Sequence, residues 1–363
     1  MTAGAVGHRG TPTRAEASSP DDAVAAATIR EVPGLSWVRA IRLPLNGLTK
    51  GSVNAFLVDT GDSFVLIDAG LATEAPTLER ALEVAGIARG DLRAVLCTHL
   101  HADHVGGAST LRRDGWLGAS GEIVVSTDTD RLGRAMFVEG SPRFDEHLVR
   151  NGIRGDELPR WRSDLAVMAR YADWPDDVRH VDDGDELSIG RVRFRFLATA
   201  GHCRDHVAIV ARRGDGDGDG DGDGDAVVFL GDLTLGGELP QCGVRDWESE
   251  DAIGDLLRGW DAIAAEGIAL GLPAHGRPIP DIPAFRAELD DIYERAVARF
   301  RAQFGGTTVT GADVAAALVS DDDAWGPRQF AFYGSVAMLN HLVQRGDADR
   351  VGDDPERFEV HSA

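Results

Sequence analysis

Apolar residues along this chain change their spacing several times, and each change marks an element. From Leu35 the pattern is strand-like: "WVRAIRLPL" is followed by "VNAFLVDTGDSFVLIDAG", two β-rich runs broken at Thr60-Gly61-Asp62, which suits a hairpin turn. "APTLERALEVAGI" then places apolar residues three and four apart, the period of a helix. "RAVLCTHL" is a short buried strand, "HVGGASTLRRDG" begins another helix, and "EIVVS" is a strand again. Strand and helix alternating at this spacing predict a layered α/β protein.

Residues 128–175 break the alternation with amphipathic helical stretches that carry Met136, Phe137, Phe144, Trp161, Met168, Tyr171 and Trp174. They read as a helical insertion over the sheet. Strands return in "DELSIG", "VRFRFLATAG", "HVAIVARR" and "AVVFLGD". From Ile282 the pattern is helical, with "IPAFRAELDDIYERAVARFRAQF" as one long amphipathic helix, then "GADVAAALV" and "FYGSVAMLNHLVQRG". The expected organisation is a disordered N-terminal tail over 1–33, an α/β domain over 34–285, and a C-terminal helical appendage and tail over 286–363, compatible with a winged-helix arrangement. Gly214–Asp225 alternates glycine and aspartate and is expected to be a flexible loop inside the domain, because both residues favour turns and neither packs. It fits neither the dinucleotide fingerprint nor a complete calcium loop.

Composition narrows the function classes. The 363 residues carry a formal net charge of −23, and such a surface repels phosphate backbones and anionic lipid. Neither nucleic acid nor a membrane is therefore an expected partner. No apolar run approaches spanning length, and the first residues lack the apolar core of a secretory signal. Cys97, Cys203 and Cys242 form no paired spacing, which suits reduced thiols and a cytoplasmic location.

The chemistry is concentrated in "VLCTHLHADHVGG". His99, His101, Asp103 and His104 fall within six positions at the end of a strand-like run. Residues two apart on a strand share a face, so His99 and His101 can converge on one metal. A turn after Leu100 would bring Asp103 and His104 under a second. Imidazole and carboxylate together suit zinc, iron or manganese. His202, Asp232 and His275 each follow an apolar run, where a sheet would present them along one edge.

This set resembles the five motifs of the metallo-β-lactamase-fold hydrolase superfamily, over roughly residues 35–285. The first motif is matched by Asp68 in "LIDAG", the second by the His99–His104 cluster, and the last three by His202, Asp232 and His275. The resemblance implies an αββα sandwich holding two divalent metal ions, zinc in the first instance, with iron or manganese as alternatives. It implies that His99, His101 and His202 hold metal one, that Asp103, His104 and His275 hold metal two, and that Asp232 bridges them, with Asp68 orienting ligands from behind. These seven ligands are also the expected catalytic residues, through a metal-bridging hydroxide that attacks an acyl carbonyl.

His101 stands where a flavodiiron branch carries an acid, which favours hydrolysis. Asp232 stands where the classical zinc β-lactamases carry cysteine, which points away from them and toward the glyoxalase II, lactonase, thioesterase and nuclease-like branches. "TAGHCRDH" is similar to a glyoxalase II-like motif, with His206 at its second histidine. The expected substrate is a small acyl compound, a thioester or lactone, seated against the aromatic insertion, with Arg143 or Arg160 meeting an anionic tail. A phosphodiesterase or nuclease of the same fold, and an iron-dependent sulfur dioxygenase, are the alternatives. A metal-binding assembly protein is a distant fourth reading, and a homodimer is compatible with the sequence.

Overall fold

The computed structural model describes residues 27–46, 51–139, 142–214, 225–235, 240–320 and 325–362. Residues 1–26, most of the Gly-Asp loop (215–224) and Ala363 lie outside the described residues, as do four shorter stretches.

Two sheets make the body. The first has seven strands in sequence order: β1 (Thr28–Val32), β2 (Leu35–Pro44), β3 (Ser52–Asp59), β4 (Phe64–Ile67), β5 (Leu92–Leu96), β6 (Leu117–Ser126) and β7 (Arg179–Val181). β1 to β4 run antiparallel as a meander, and β4 to β7 run parallel. The hairpin turn at Thr60–Ser63 closes through Thr60 N–H donating to Ser63 O at 3.0 Å, with Gly61 at φ +98°. The second sheet is ordered β12-β11-β10-β9-β8, from β8 (Glu186–Ile189), β9 (Val192–Ala198), β10 (Val207–Arg213), β11 (Ala226–Gly231) and β12 (Gly271–Pro273).

Alternation along the strands builds the layers. Val58, Val65, Ile67, Ala94 and Leu96 of the first sheet meet Phe194, Phe196, Ile209, Ala211 and Phe229 of the second in an inner core. Their neighbours Leu57, Leu66 and Val95 face outward, under α1 (Ala75–Val84) and α3 (Ala108–Arg113); a four-residue helix α2 (Ala102–Val105) precedes α3. On the other side, Leu197, Ala208, Val210, Val228 and Leu230 pack under α7 (Ala252–Ala265) and α8 (Ile282–Phe304). The architecture is an αββα sandwich.

Between β6 and β7 lie α4 (Thr127–Gly133), a π-helical turn (Arg134–Val138), α5 (Pro142–Arg150) and α6 (Glu157–Met168), where the helical insertion was expected. The C-terminal part holds α8, β13 (Thr308–Val309), α9 (Gly311–Leu318), α10 (Trp325–Arg345), β14 (Ala348–Asp353) and β15 (Glu356–Val360). Its small sheet is ordered β13-β15-β14, so helix, strand, two helices and a hairpin follow in the winged-helix order.

Two details differ from the sequence reading. Thr28–Val32, inside the stretch read as tail, is an edge strand paired with β2; four of its five residues keep some exposure, so apolar spacing gave little sign of it. The appendage is not purely helical: β13–β15 carry charged residues such as Asp349, Arg350 and Arg357, and only Phe358 and Val360 signal a buried face.

Candidate metal centre

Strand ends of both sheets deliver the candidate residues to one edge. β5 runs apolar to Leu96 and Cys97, after which the chain turns at Thr98. Asp68, just past β4, takes that turn in hand: its Oδ1 accepts from Thr98 N–H at 2.8 Å and its Oδ2 accepts from Thr98 Oγ1 at 2.9 Å. Asp68 itself sits at φ +58°, a left-handed conformation uncommon outside glycine. Its Oδ2 also lies 2.8 Å from His104 Nδ1, which fixes the ring so that Nε2 points inward. Asp205 holds the same loop from the second sheet, accepting from Leu100 N–H at 2.7 Å and from Thr129 Oγ1 at 2.8 Å.

His99, His101 and His202 form one set. His101 Nδ1 lies 2.9 Å from His99 Nε2 and 3.0 Å from His202 Nε2. A cation about 2.1 Å from three nitrogens in a tetrahedral arrangement spaces them about 3.4 Å apart, so the three nitrogens are near ligand spacing. The remaining ring nitrogen of His202 donates to Gln241 O at 2.8 Å, and that of His99 lies 3.1 Å from Thr98 Oγ1. Cys203 Sγ is within 4.8 Å of all three donor atoms. Burial, with Asp205 beside it, pushes the Cys203 thiol well up.

Asp103, His104 and His275 form the second set. His275 Nε2 is 3.3 Å from Asp103 Oδ2, and His104 Nε2 is 3.8 Å from Asp103 Oδ1. His275 Nδ1 donates to Ser52 O at 2.9 Å. Asp232 stands between the sets: Oδ1 is 3.4 Å from His104 Nε2 and 3.5 Å from His275 Nε2, while Oδ2 is 3.5 Å from His202 Nε2. His206 holds Asp232 rather than joining the donors. Its Nε2 accepts from Asp232 N–H at 3.1 Å, so its Nδ1 carries the proton and donates to Thr199 Oγ1 at 2.9 Å.

The electrostatics separate the sets. Burial, helped by neighbouring imidazoles, keeps His99 and His101 well below the usual histidine range, the neutral form a metal requires. Burial likewise takes His206 down to about 3. Burial opposes charge on His104 and His275 as well, but the carboxylates of Asp232 and Asp103 outweigh it, raising His104 and taking His275 up to about 9. Burial also works to raise Asp103 and Asp232, and the facing histidines overcome it and hold both low.

The residues fit divalent metal ions. His104 Nε2 and Asp232 Oδ1 are fully enclosed and make no hydrogen bond, although 3.4 Å apart. Buried polar atoms are rarely left so, and atoms that converge on a shared cation are the ordinary exception. A family model described as the metallo-beta-lactamase superfamily matches residues 48–259. The chain belongs to the metallo-β-lactamase superfamily.

Two solved structures share the superfamily fold over nearly the whole chain, appendage included. A metallo-beta-lactamase family protein from Thermus thermophilus superposes with a TM-score of 0.70 at 23% identity, over 91% of this chain and 99% of that one. A beta-lactamase domain protein from Burkholderia ambifaria gives 0.71 at 23% identity, over 92% and 94%. Among curated superfamily relatives, a lactamase-like protein from Neosartorya fischeri is 22% identical over 71% of this chain and 60% of its own length. An atrochrysone carboxyl ACP thioesterase from Aspergillus chevalieri is 24% identical over 70% and 61%. The chain thus spans about 60% of the length of the curated relatives it matches.

The seven ligand-type residues named from sequence, with Asp68 behind them, come together in this superfamily fold. Thr98, Asp205 and the backbone acceptors of Ser52 and Gln241 gave no sequence signal, because their roles depend on contacts across distant segments. Of the arginines expected to meet an anionic tail, Arg143 is exposed and pairs with Glu248 at 3.3 Å, and Arg160 is exposed on α6.

Proposed function

We propose that this chain is a dinuclear metal-dependent hydrolase that cleaves an acyl bond, a thioester before a lactone. The observation that carries the reading is Asp232, whose two oxygens face different donor sets. His99, His101 and His202 would hold one cation, Asp103, His104 and His275 the other, and Asp232 both; zinc suits the donors. Bound there, the pair would supply Lewis acidity and lower the pKa of water toward neutrality.

The chain's own groups do the rest. Asp68 and His206 fix His104 and Asp232, so the donors need not reorganise. Asp103, less enclosed than Asp232, accepts a proton as water oxygen adds to the acyl carbon; it returns that proton to sulfur as the carbon–sulfur bond breaks. Half-buried Trp247 joins the outer core of the first sheet to the aromatic cluster of Phe144, Trp161, Phe332 and Tyr333 and gives an acyl chain an apolar wall. The name of the Aspergillus chevalieri relative supports a thioester. The winged-helix order of the appendage favours the second reading, a phosphodiesterase or nuclease.

The test is metal quantification with a panel of acyl thioesters, lactones and phosphodiesters. Two metal ions per chain, turnover lost on chelation and restored by zinc, and a thioester as the preferred substrate are the expected results. Undiminished turnover in Asp103→Ala would sink the mechanism.

A further inference from the structure

The segment over 240–251, which follows Asp232 in the chain, is tied back to His202 through its backbone. Gln241 O accepts from His202 Nδ1, Gly243 N–H donates to Gly201 O at 2.8 Å, and Val244 N–H donates to His202 O at 2.8 Å. A little further along, Glu248 is gripped by both terminal nitrogens of Arg131, at 2.9 and 2.8 Å. Between them Asp246 Oδ1 accepts from the N–H groups of Glu248 and Ser249, each at 2.9 Å. The clamp leaves Arg245 at its centre, half-buried, with φ +52°.

Asp68 and Arg245 are the non-glycine residues at positive φ among the described residues, and Asp68 already serves the metal centre. An asparagine or glycine would take the left-handed conformation at lower cost. Strain of this kind persists where surrounding structure enforces it and function uses it. Arg245 is one residue past the backbone bonded to His202. Its neighbours Val244 and Trp247 belong to the aromatic cluster. A guanidinium presents a planar fork of donors suited to carboxylate and phosphate.

We infer that Arg245 is a specificity-determining residue that anchors an anionic oxygen-acid group of the substrate, a carboxylate or a phosphate, beside the metal centre. The inference rests on the acyl-hydrolase reading above and narrows it to amphipathic substrates with one charged end. The anion can sit on the acyl part or on the leaving thiol, and two matched pairs separate these sources. One pair is the glutaryl and the uncharged glutaramoyl thioester of N-acetylcysteamine. The other is the butyryl thioester of 4′-phosphopantetheine and of pantetheine.

The zinc-loaded wild type, Arg245→Lys and Arg245→Asn are compared for kcat/KM on all four. Calorimetric binding of the hydrolysis-resistant amide analogues runs in parallel, so a failure of turnover does not remove the test. Arg245→Asn tolerates the backbone conformation and removes the charge. The expected result is a preference for the charged member of one pair that falls roughly 10- to 100-fold in Arg245→Asn, mostly through KM and analogue affinity, and is largely kept in Arg245→Lys. A preference unchanged in Arg245→Asn for both pairs, in turnover and in binding, overturns the inference. Binding that follows this pattern without hydrolysis of any thioester leaves Arg245 as the anchor and overturns the thioesterase reading instead.

Discussion

Asp246 shows how far one side chain near the centre is from water. One carboxyl oxygen accepts two backbone N–H groups, while the other is enclosed without a hydrogen bond. Burial pushes the group up to about 6, against the pull of those two N–H groups and with Asp205 adding to the rise. The sign follows from the protons bound. An unfolded aspartate titrates near 4, so between about 4 and 6 the folded chain binds more protons than the unfolded one. The contribution is therefore present at low pH and lost as pH rises through 6, where a charge is forced into the enclosure. Two pH units correspond to about 2–3 kcal/mol. Asp246→Asn keeps the shape and an accepting oxygen without the charge. Its Tm relative to wild type should rise by several degrees between pH 4.5 and 7.5; the same difference at both pH values would refute this. Asp68 stands at the same scale. Asp68→Ala frees His104 Nδ1 and the Thr98 turn together, and should lower metal affinity or turnover roughly 10- to 100-fold, read by metal titration.

At the scale of elements, the sequence was most legible where apolar alternation and ligand residues coincide. β4, β11 and β12 are short apolar runs, β5 and β9 are apolar strands interrupted by arginines, and each is followed by Asp68, His99, His202, Asp232 or His275 within a few residues. The strand therefore announced both itself and the edge on which its functional residue lies. β1 and β14 were not legible, because strands that bury little need no apolar period, and β13 and β15 are too short for their alternation to stand out. Arg245 was hidden because its signal is a backbone angle. Asp205 was hidden because the N–H it accepts belongs to Leu100, 105 positions away.

The insertion was legible as helical, but not where it docks. Trp161 on α6 meets Phe332 at 5.0 Å and Tyr333 at 5.8 Å between ring centres, tying the insertion to α10. Trp161→Ala should cost about 3–5 kcal/mol, the usual range for deleting a large buried aromatic. Since the sandwich core is separate, the loss should fall on α5 and α6 as faster amide exchange, with metal content unchanged. Exchange in α5 and α6 equal to wild type would show that this contact does not hold the insertion.

The whole molecule bears on the choice between a small acyl substrate and a nucleic acid. In winged-helix DNA-binding modules a helix docks in the major groove, and its outward face must be free to do so. Here α10 sends Phe332, Tyr333 and Val336 into the aromatic cluster, Ala337 under the second sheet, and Leu339 and Leu342 into the core of the appendage. At 100° per residue these positions cover more than half of the helix circumference, which narrows the face left for groove reading. Charge points the same way. With a net charge of −23, association with a polyanion is opposed at a distance, and any attraction would have to come from a local basic patch strong enough to overcome it. Non-specific nucleic-acid binders typically reach a Kd of about 10⁻⁴–10⁻⁶ M at physiological salt through released counterions. This chain should bind more weakly than that. Fluorescence anisotropy with single-stranded RNA and duplex DNA at 50 mM and 200 mM salt should show no saturable binding up to about 100 μM protein. Micromolar binding that weakens steeply between the two salt concentrations would reverse the preference, and would put the phosphodiester arm of the substrate panel ahead of the thioester arm.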